Sequence, residues 1–155
     1  AYMGKNLRSE IPDKEIITWK GTCVVHEQFT PEQIAKYRRE FPGVHVLAHY
    51  ECNDDVLAAA DMHGGTGDMR RYVKAVTAPA YLLATECGLA STIKAEFPEK
   101  EIVGPCTLCP YMKMIDLSNT LKVLQEERPE IVVPEEIRVK AYHSLEQMFE
   151  LGRNP

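Results

Sequence analysis

Residues 80–97, AYLLATECGLASTIKAEF, decide the fold because a strand pattern runs directly into a helix pattern. The apolar run at residues 80–85 fits a buried strand, and residues 88–97 are typical of a helix. The next β-branched run, KEIVG at residues 100–104, predicts a second strand. A strand, a helix and a strand in this order predict parallel pairing, with the helix packed on a face of the sheet.

The same alternation extends over the rest of the chain. Strands are predicted at residues 15–19, 22–26, 44–49, 80–85, 100–104 and 130–133. Helices are predicted at residues 30–41, 53–62, 66–76, 88–97, 116–127 and 134–151. Thr30 as a cap and Pro31 at the first helical position support the first of these helices. The predicted class is α/β, with three-layer α/β/α Rossmann-like units built on short parallel sheets.

Composition narrows the class of protein. The chain has 155 residues, enough for one domain or two small units, and its 45% hydrophobic and 26% charged content is typical of globular proteins. The net charge of −5, with scattered basic residues, argues against nucleic acid as a partner. No apolar run is long enough to predict a membrane span. We find no signal-peptide pattern, and the start at Ala1 favours a fragment or a processed chain.

Polar residues follow several of the predicted strands. In parallel sheets, ligand-binding residues gather at the carboxyl ends of the strands. The candidates at these positions are His26, His49, Glu51, Thr85, Glu86, Cys106 and Cys109. His49 and Glu51 alternate by two, so extended backbone directs both to one side, as an acid–base and carboxylate-binding pair requires. A solvated pair after an edge strand remains the alternative.

The stretch GPCTLCPYMKM, residues 104–114, contains the pair Cys106 and Cys109. A zinc ribbon would need a second Cys-x-x-Cys, and a thioredoxin-like site would place its cysteines at a helix N-terminus, whereas Pro110 follows in this chain. An iron–sulfur site can use distant cysteines, and Cys23, three residues before His26, is a candidate ligand or a core residue. With five cysteines and no secretory signal, we expect metal ligation or free thiols rather than a disulfide framework.

A glycine-rich turn, GGTGDM at residues 64–69, precedes a predicted helix. Its exposed N–H groups would suit a phosphate or a carboxylate. The stretch matches no complete phosphate-binding or dinucleotide fingerprint, so a plain turn with a helix cap remains the alternative.

Together these motifs resemble the quinolinate synthase family. The segments that carry the resemblance are WKGTCVVHEQFT, VLAHYEC, ADMHGGTGDM, LLATECGL, FPEKEI, CPYMKM and VPEEI. They keep the family's order and spacing from about residue 11 to residue 151.

The resemblance implies a cytoplasmic enzyme of NAD biosynthesis. Members condense iminoaspartate with dihydroxyacetone phosphate to quinolinate, using a 4Fe–4S cluster as a Lewis acid. Three pseudo-related α/β domains each supply one cluster cysteine. On this resemblance residues 1–25 end the second domain, residues 26–109 form the third, and residues 110–155 pack on the first.

The resemblance also implies residue roles. Cys23 and Cys109 would bind the cluster, with Cys106 only an accessory cysteine. The catalytic and substrate-binding set would be His26, His49 and Glu51, with Gly65, Thr66 and Met112 also binding substrate. Two residues depart from the family pattern. Tyr50 stands for a proline and should loosen its turn, and Gly65 stands for a serine.

On this resemblance, we expect the family's first cluster cysteine to lie in an N-terminal half that is not part of this sequence. That half is therefore the expected partner, alongside the two small-molecule substrates. The competing hypothesis is a non-catalytic module in which Cys106 and Cys109 form a zinc site or a reversible disulfide. In that case Cys23 would be dispensable for metal or disulfide behaviour.

Overall fold

The computed structural model describes residues 1–153. The chain divides into a unit of residues Ala1–Met114 and a second unit that begins at Ile115. Among the described residues, each helix is too short or too polar to cross a bilayer.

The first unit contains a four-stranded parallel sheet. Its strands are β1 (His45–His49), β2 (Met62–Gly64), β3 (Tyr81–Ala84) and β4 (Ile102–Val103). Their spatial order is β2-β1-β3-β4, with every neighbouring pair parallel. The carboxyl ends of all four strands therefore open onto one edge of the sheet.

Five helices belong to this unit and two to the second. They are α1 (Tyr2–Glu10), α2 (Pro31–Glu40), α3 (Asp54–Ala59), α4 (Thr66–Ala75), α5 (Cys87–Glu96), α6 (Leu117–Glu126) and α7 (Glu135–Arg153). Short 3₁₀ helices occupy His26–Gln28 and Met112–Met114. At the start of α2, the Thr30 hydroxyl and the Gln33 side chain cap each other's backbone N–H groups, as the sequence predicts.

Both faces of the sheet are buried. Val46 and Leu82 point into a core that includes Ile34 of α2 and Val56 of α3. The intervening strand residues point into a second core, which consists of Leu47, Met69, Val73, Tyr81, Leu83 and Ile93. This alternation produces the predicted three-layer α/β/α arrangement.

Three predicted strands are wrong. Residues 15–19 and 130–133 have no strand partner in the part of the chain that the structure describes, and residues 22–26 lead into the His26–Gln28 3₁₀ helix. The side chains of Ile17 and Ile131 are exposed, whereas Val25, in the segment before the 3₁₀ helix, is buried. The apolar pattern was real, but a ladder also needs a neighbouring strand.

One helix and one strand were missed. Helix α1 has no buried residue, and its apolar face consists mainly of Met3 and Leu7, which is too short a pattern to predict a helix. Strand β2 is three residues long and includes Met62, which was assigned to the end of the preceding helix. Short edge strands carry too little pattern to be recognised by periodicity.

Gly104 turns the chain after β4. Its φ is +122°, and a Cβ added there would lie 2.3 Å from Leu82 Cδ1. Glycine is therefore required both by the backbone and by the close approach. This turn directs residues 105–109 across the carboxyl edge of the sheet.

The second unit carries many exposed apolar side chains. On α7, the residues Ile137, Leu145 and Met148 recur at helical spacing and are all exposed. Leu117, Leu121 and Leu124 do the same on α6. The described part of this unit contains no buried residue.

Candidate functional site

One cysteine, one histidine and one carboxylate meet beside the carboxyl edge of the sheet. The ligand atoms of Cys23, His26 and Glu51 all lie within 4.8 Å of one another. Glu51 comes from the loop after β1, while Cys23 and His26 come from the turn that leads into the 3₁₀ helix. The sequence predicted all three residues, and the fold brings them together although the loop lies 25 or more positions further along the chain.

His49, at the end of β1, completes the group. Its ring stacks on that of His26, with centroids 4.5 Å apart. The carboxylate Oε2 of Glu51 lies 3.2 Å from Nδ1 of His26 and 3.4 Å from Nδ1 of His49. One carboxylate oxygen is thus within reach of both rings, which suits proton transfer.

His26 is held deep in the site. It is 5% exposed, and its Nε2 lies 3.0 Å from the Thr85 hydroxyl, just past the end of β3. Burial, with the neighbouring His49 ring adding to it, lowers the pKa of His26 to about 4. Burial also lowers the pKa of His49, against an opposing effect of Glu51. Both rings are therefore neutral near pH 7.

The loop between His49 and Glu51 is pinned from outside by α1. The side-chain amide of Asn6 donates to the carbonyls of Tyr50 and Cys52, at 2.7 and 3.2 Å. The Tyr50 hydroxyl donates to both carboxylate oxygens of Glu10, at 2.7 and 2.9 Å. We expected Tyr50 to loosen this turn, but these contacts hold it in place.

The structure gives Cys106 an unexpected partner. Cys106 forms a disulfide with Cys87 at the start of α5, with the two Cα atoms 4.9 Å apart. The Cys87 N–H also donates to the carbonyl of Thr107, at 3.0 Å. Our expectation of free or metal-bound thiols is wrong for this pair. The two cysteines are 19 residues apart in the chain, so no local motif indicates that they pair. Cys106 and Cys109 consequently do not act as one Cys-x-x-Cys unit.

Three cysteines are free. Cys23 and Cys109 are partly buried and pack against the same face of the core. Cys52 is fully buried, its Sγ donates to the Ala84 carbonyl at 3.5 Å, and burial raises its pKa to about 12. Because ligation requires the thiolate, Cys23 and Cys109 are the two thiols suited to a metal.

The glycine-rich turn lies beside His49. Strand β2 pairs with β1 so that Gly64 is opposite His49. Gly65 follows, and its N–H donates to the Asp68 side chain at 2.8 Å, while Thr66 begins α4. This placement brings Gly65 and Thr66 to the same edge as the histidines. Their role in substrate binding stays a prediction.

Met112 lies in the 3₁₀ helix after Cys109 and is 54% exposed. Its place in a substrate pocket stays a prediction. An open apolar groove of about 410 Å³ adjoins Glu51. Met3, Leu7, Ile17 and Trp19 line it together with Glu51.

The family of the chain follows from comparison with known proteins. Residues 1–150 match the family model described as quinolinate synthetase A protein. The chain is 42% identical to quinolinate synthase 2 of Mesorhizobium japonicum over 148 residues, which is 96% of this chain. It is 39% identical to the quinolinate synthase of Caulobacter vibrioides over 150 residues, or 97% of this chain. It is 40% identical to the quinolinate synthase of Xylella fastidiosa over 148 residues, or 96% of this chain.

The alignments cover nearly all of this chain but less than half of each relative. The aligned region makes up 45%, 41% and 43% of those three relatives, so the chain spans less than half of their length. The expected likeness nevertheless extends over almost the whole chain. With a family model covering residues 1–150 and relatives near 40% identity, the chain belongs to the quinolinate synthase family.

Proposed function

We propose that this chain forms the part of a quinolinate synthase that supplies two cluster ligands and the acid–base groups. The reaction would condense iminoaspartate with dihydroxyacetone phosphate to give quinolinate, in the cytoplasm, for NAD synthesis. The observation that carries this proposal is the convergence of Cys23, His26 and Glu51 within 4.8 Å. The relatives' name supports the reaction class.

Cysteine thiols are suitable ligands for an iron–sulfur cluster, but this chain would supply only two of the cysteines that the cluster needs. Cys23 and Cys109 are free and partly exposed, whereas Cys52 is held as a thiol and the remaining two are oxidised. Iron–sulfur clusters are held mainly by cysteine thiolates. Cys23 and Cys109 would therefore bind a 4Fe–4S cluster together with a cysteine from outside this chain. When bound, the cluster supplies Lewis acidity toward a substrate oxygen or nitrogen.

His49 would present an uncharged donor to the substrate. The Glu51 backbone N–H donates to Nδ1 of His49 at 3.3 Å. The neutral His49 ring therefore carries its proton on Nε2, where it can donate to a carboxylate or phosphate oxygen. His26 offers a second neutral ring, fixed by Thr85.

Glu51 is the group suited to moving protons. Its side chain is 39% exposed and lies against both histidines. A carboxylate in that position can take a proton from substrate and exchange it with solvent. Gly65 and Thr66, at the start of α4, would bind an anionic group of the substrate, and Met112 would line the pocket.

The partner would be the N-terminal half of the same kind of enzyme. It would bring the third cluster cysteine and cover the apolar side chains exposed on both units, among them Trp19 and Leu145. The chain would then contain the end of the second domain, at residues 1–25, and the third, at residues 26–109, of a pseudo-three-fold enzyme. Residues 110–155 would pack on the first domain.

The test is anaerobic production of the chain alone and together with the N-terminal half of the Caulobacter vibrioides relative. We expect a brown complex with about four iron atoms and an iron–sulfur absorption band only when both halves are present. The complex should form quinolinate from the two substrates. Cys23→Ser and Cys109→Ser should each abolish the absorption band.

Cys52→Ser is the matched control, because the Cys52 thiol is fully buried and donates to the Ala84 carbonyl, so its loss should leave the iron content unchanged. A colourless chain that binds zinc and keeps it after Cys23→Ser would contradict the proposal. It would favour a non-catalytic zinc-binding protein instead.

A further inference from the structure

The two segments that carry Cys23 and Cys109 are both fastened to one tripeptide. This tripeptide, Thr85–Glu86–Cys87, connects the end of β3 to the start of α5. Thr85 holds His26, three residues beyond Cys23. Cys87 holds the other segment through its disulfide to Cys106 and its hydrogen bond to Thr107. The central residue, Glu86, has no role in the site described so far.

Glu86 is a buried carboxylate with several separate partners. It is 9% exposed. Its Oε2 accepts from the Gly88 N–H at 2.5 Å, which caps α5. Its Oε1 lies 3.2 Å from Nζ of Lys113, four residues beyond Cys109.

The charge of Glu86 is stabilised from the cysteine segment. The Gly88 N–H binds Oε2, and the Lys113 ammonium lies beside Oε1, so both ends of the buried carboxylate face a group of positive character. One of these two groups, Lys113, belongs to the segment after β4. A buried carboxylate without them would be costly, so the folded chain favours the segment in this position.

We propose that Glu86 and Lys113 are positioning residues that fix the Cys109 thiol at the carboxyl edge of the sheet. Glu86 holds the segment beyond Cys109 through its ion pair with the Lys113 side chain. The disulfide anchors the segment before Cys109, and the ion pair anchors it after. The meaning of this positioning for catalysis rests on the proposed function, in which Cys109 is a cluster ligand.

The test measures how fast iodoacetamide modifies Cys109 in the full, metal-free chain without reductant. In Glu86→Gln and in Lys113→Met we expect modification to become roughly tenfold faster, because the segment opens more often when the charged contact is lost. Cys52 in the same molecules should stay unmodified, which separates local release from unfolding. Lys113 is half exposed, so Lys113→Met remains informative should Glu86→Gln fail to fold.

The two variants also separate position from charge. Losing a nearby cation disfavours the reactive thiolate, and losing a nearby carboxylate favours it. A purely electrostatic effect would therefore slow Cys109 in Lys113→Met and speed it in Glu86→Gln. Only release of the segment speeds both.

Two variants serve as controls. Glu96→Gln breaks an ion pair of the same chemistry, with Arg70 at 2.5 Å, on the helices away from the segment. Lys113→Arg keeps the cation and should restore the slow rate. Unchanged Cys109 modification in both test variants, or equal acceleration in Glu96→Gln, would overturn the proposal. Because this measurement needs no iron, it can succeed where cluster formation fails, and the reverse.

Discussion

Burial gives chemically similar side chains different behaviour at the residue scale. His26 and His49 share a carboxylate, yet His26 is the more enclosed and has its pKa lowered to about 4. Among the free thiols, Cys52 is enclosed while Cys23 and Cys109 are partly open. Each difference leads to a measurable consequence.

Acid should destabilise the metal-free chain through His26. Its pKa is about 4 when folded and about 6.5 when unfolded, so its full contribution is present above pH 6.5 and is lost as pH falls toward 4. Between pH 7 and pH 5 this amounts to about 2 kcal/mol of unfolding free energy. Urea unfolding at the two pH values should show a smaller difference in His26→Gln than in the parent. The exposed His143→Gln should behave as the parent, and an unchanged pH difference in His26→Gln would contradict the expectation.

Alkylation should sort the cysteines into three classes. Without reductant, mass spectrometry should find iodoacetamide on Cys23 and Cys109 only, because Cys52 is buried with a raised pKa. With reductant, Cys87 and Cys106 should be modified as well. Modification of Cys52 in the folded chain would contradict its burial. Modification of Cys106 before reduction would contradict its disulfide with Cys87.

At the scale of elements, α1 acts as a clamp on the loop after β1. The helix buries no side chain of its own, and its contribution lies in polar contacts from Asn6 and Glu10. Those contacts fix the backbone on either side of Glu51. A helix with no buried residue can therefore still hold a loop of the site in place.

Asn6→Ala should weaken this clamp. It removes two hydrogen bonds to the Tyr50 and Cys52 carbonyls, and we expect a loss of about 1–2 kcal/mol in urea unfolding. Tyr50→Phe removes only the exposed contact with Glu10 and should cost less. Equal stability of Asn6→Ala and the parent would mean that the loop is held by its own turn.

The sequence predicted the elements that have a clear local pattern. It did not predict the features that depend on contacts between distant segments. Strands β1 and β3 are apolar runs bounded by polar residues, and α2 carries a complete capping box, so all three were predicted. His49 and Glu51 followed from the rule that strand ends collect ligands, whereas His26 was placed by a predicted strand at residues 22–26 that the structure does not contain. The Cys87–Cys106 pairing and the Asn6 clamp depend on distances between segments far apart in the chain, which no local pattern contains.

At the scale of the whole molecule, apolar surface is unevenly distributed. The first unit has two closed cores, whereas the described residues of the second unit are exposed throughout. A surface of this kind normally contacts another polypeptide. The chain should therefore be prone to association when produced alone.

Light scattering should detect that association. We expect the full chain to form oligomers at high concentration, and Leu145→Lys combined with Met148→Lys to lower the average mass toward that of the monomer. Val139→Lys is the matched control, since its position on α7 lies about 150° around the helix from the midpoint of those two. A chain that stays monomeric without any substitution would contradict this expectation.

The lengths of the strands determine how another polypeptide can join this sheet. The two outer strands, β2 and β4, have three and two residues, while the inner strands have five and four. Edges this short offer few free backbone groups to an incoming strand, which is a common protection against edge-to-edge aggregation. A second polypeptide that joins this chain would therefore pack on the exposed apolar side chains rather than extend the sheet.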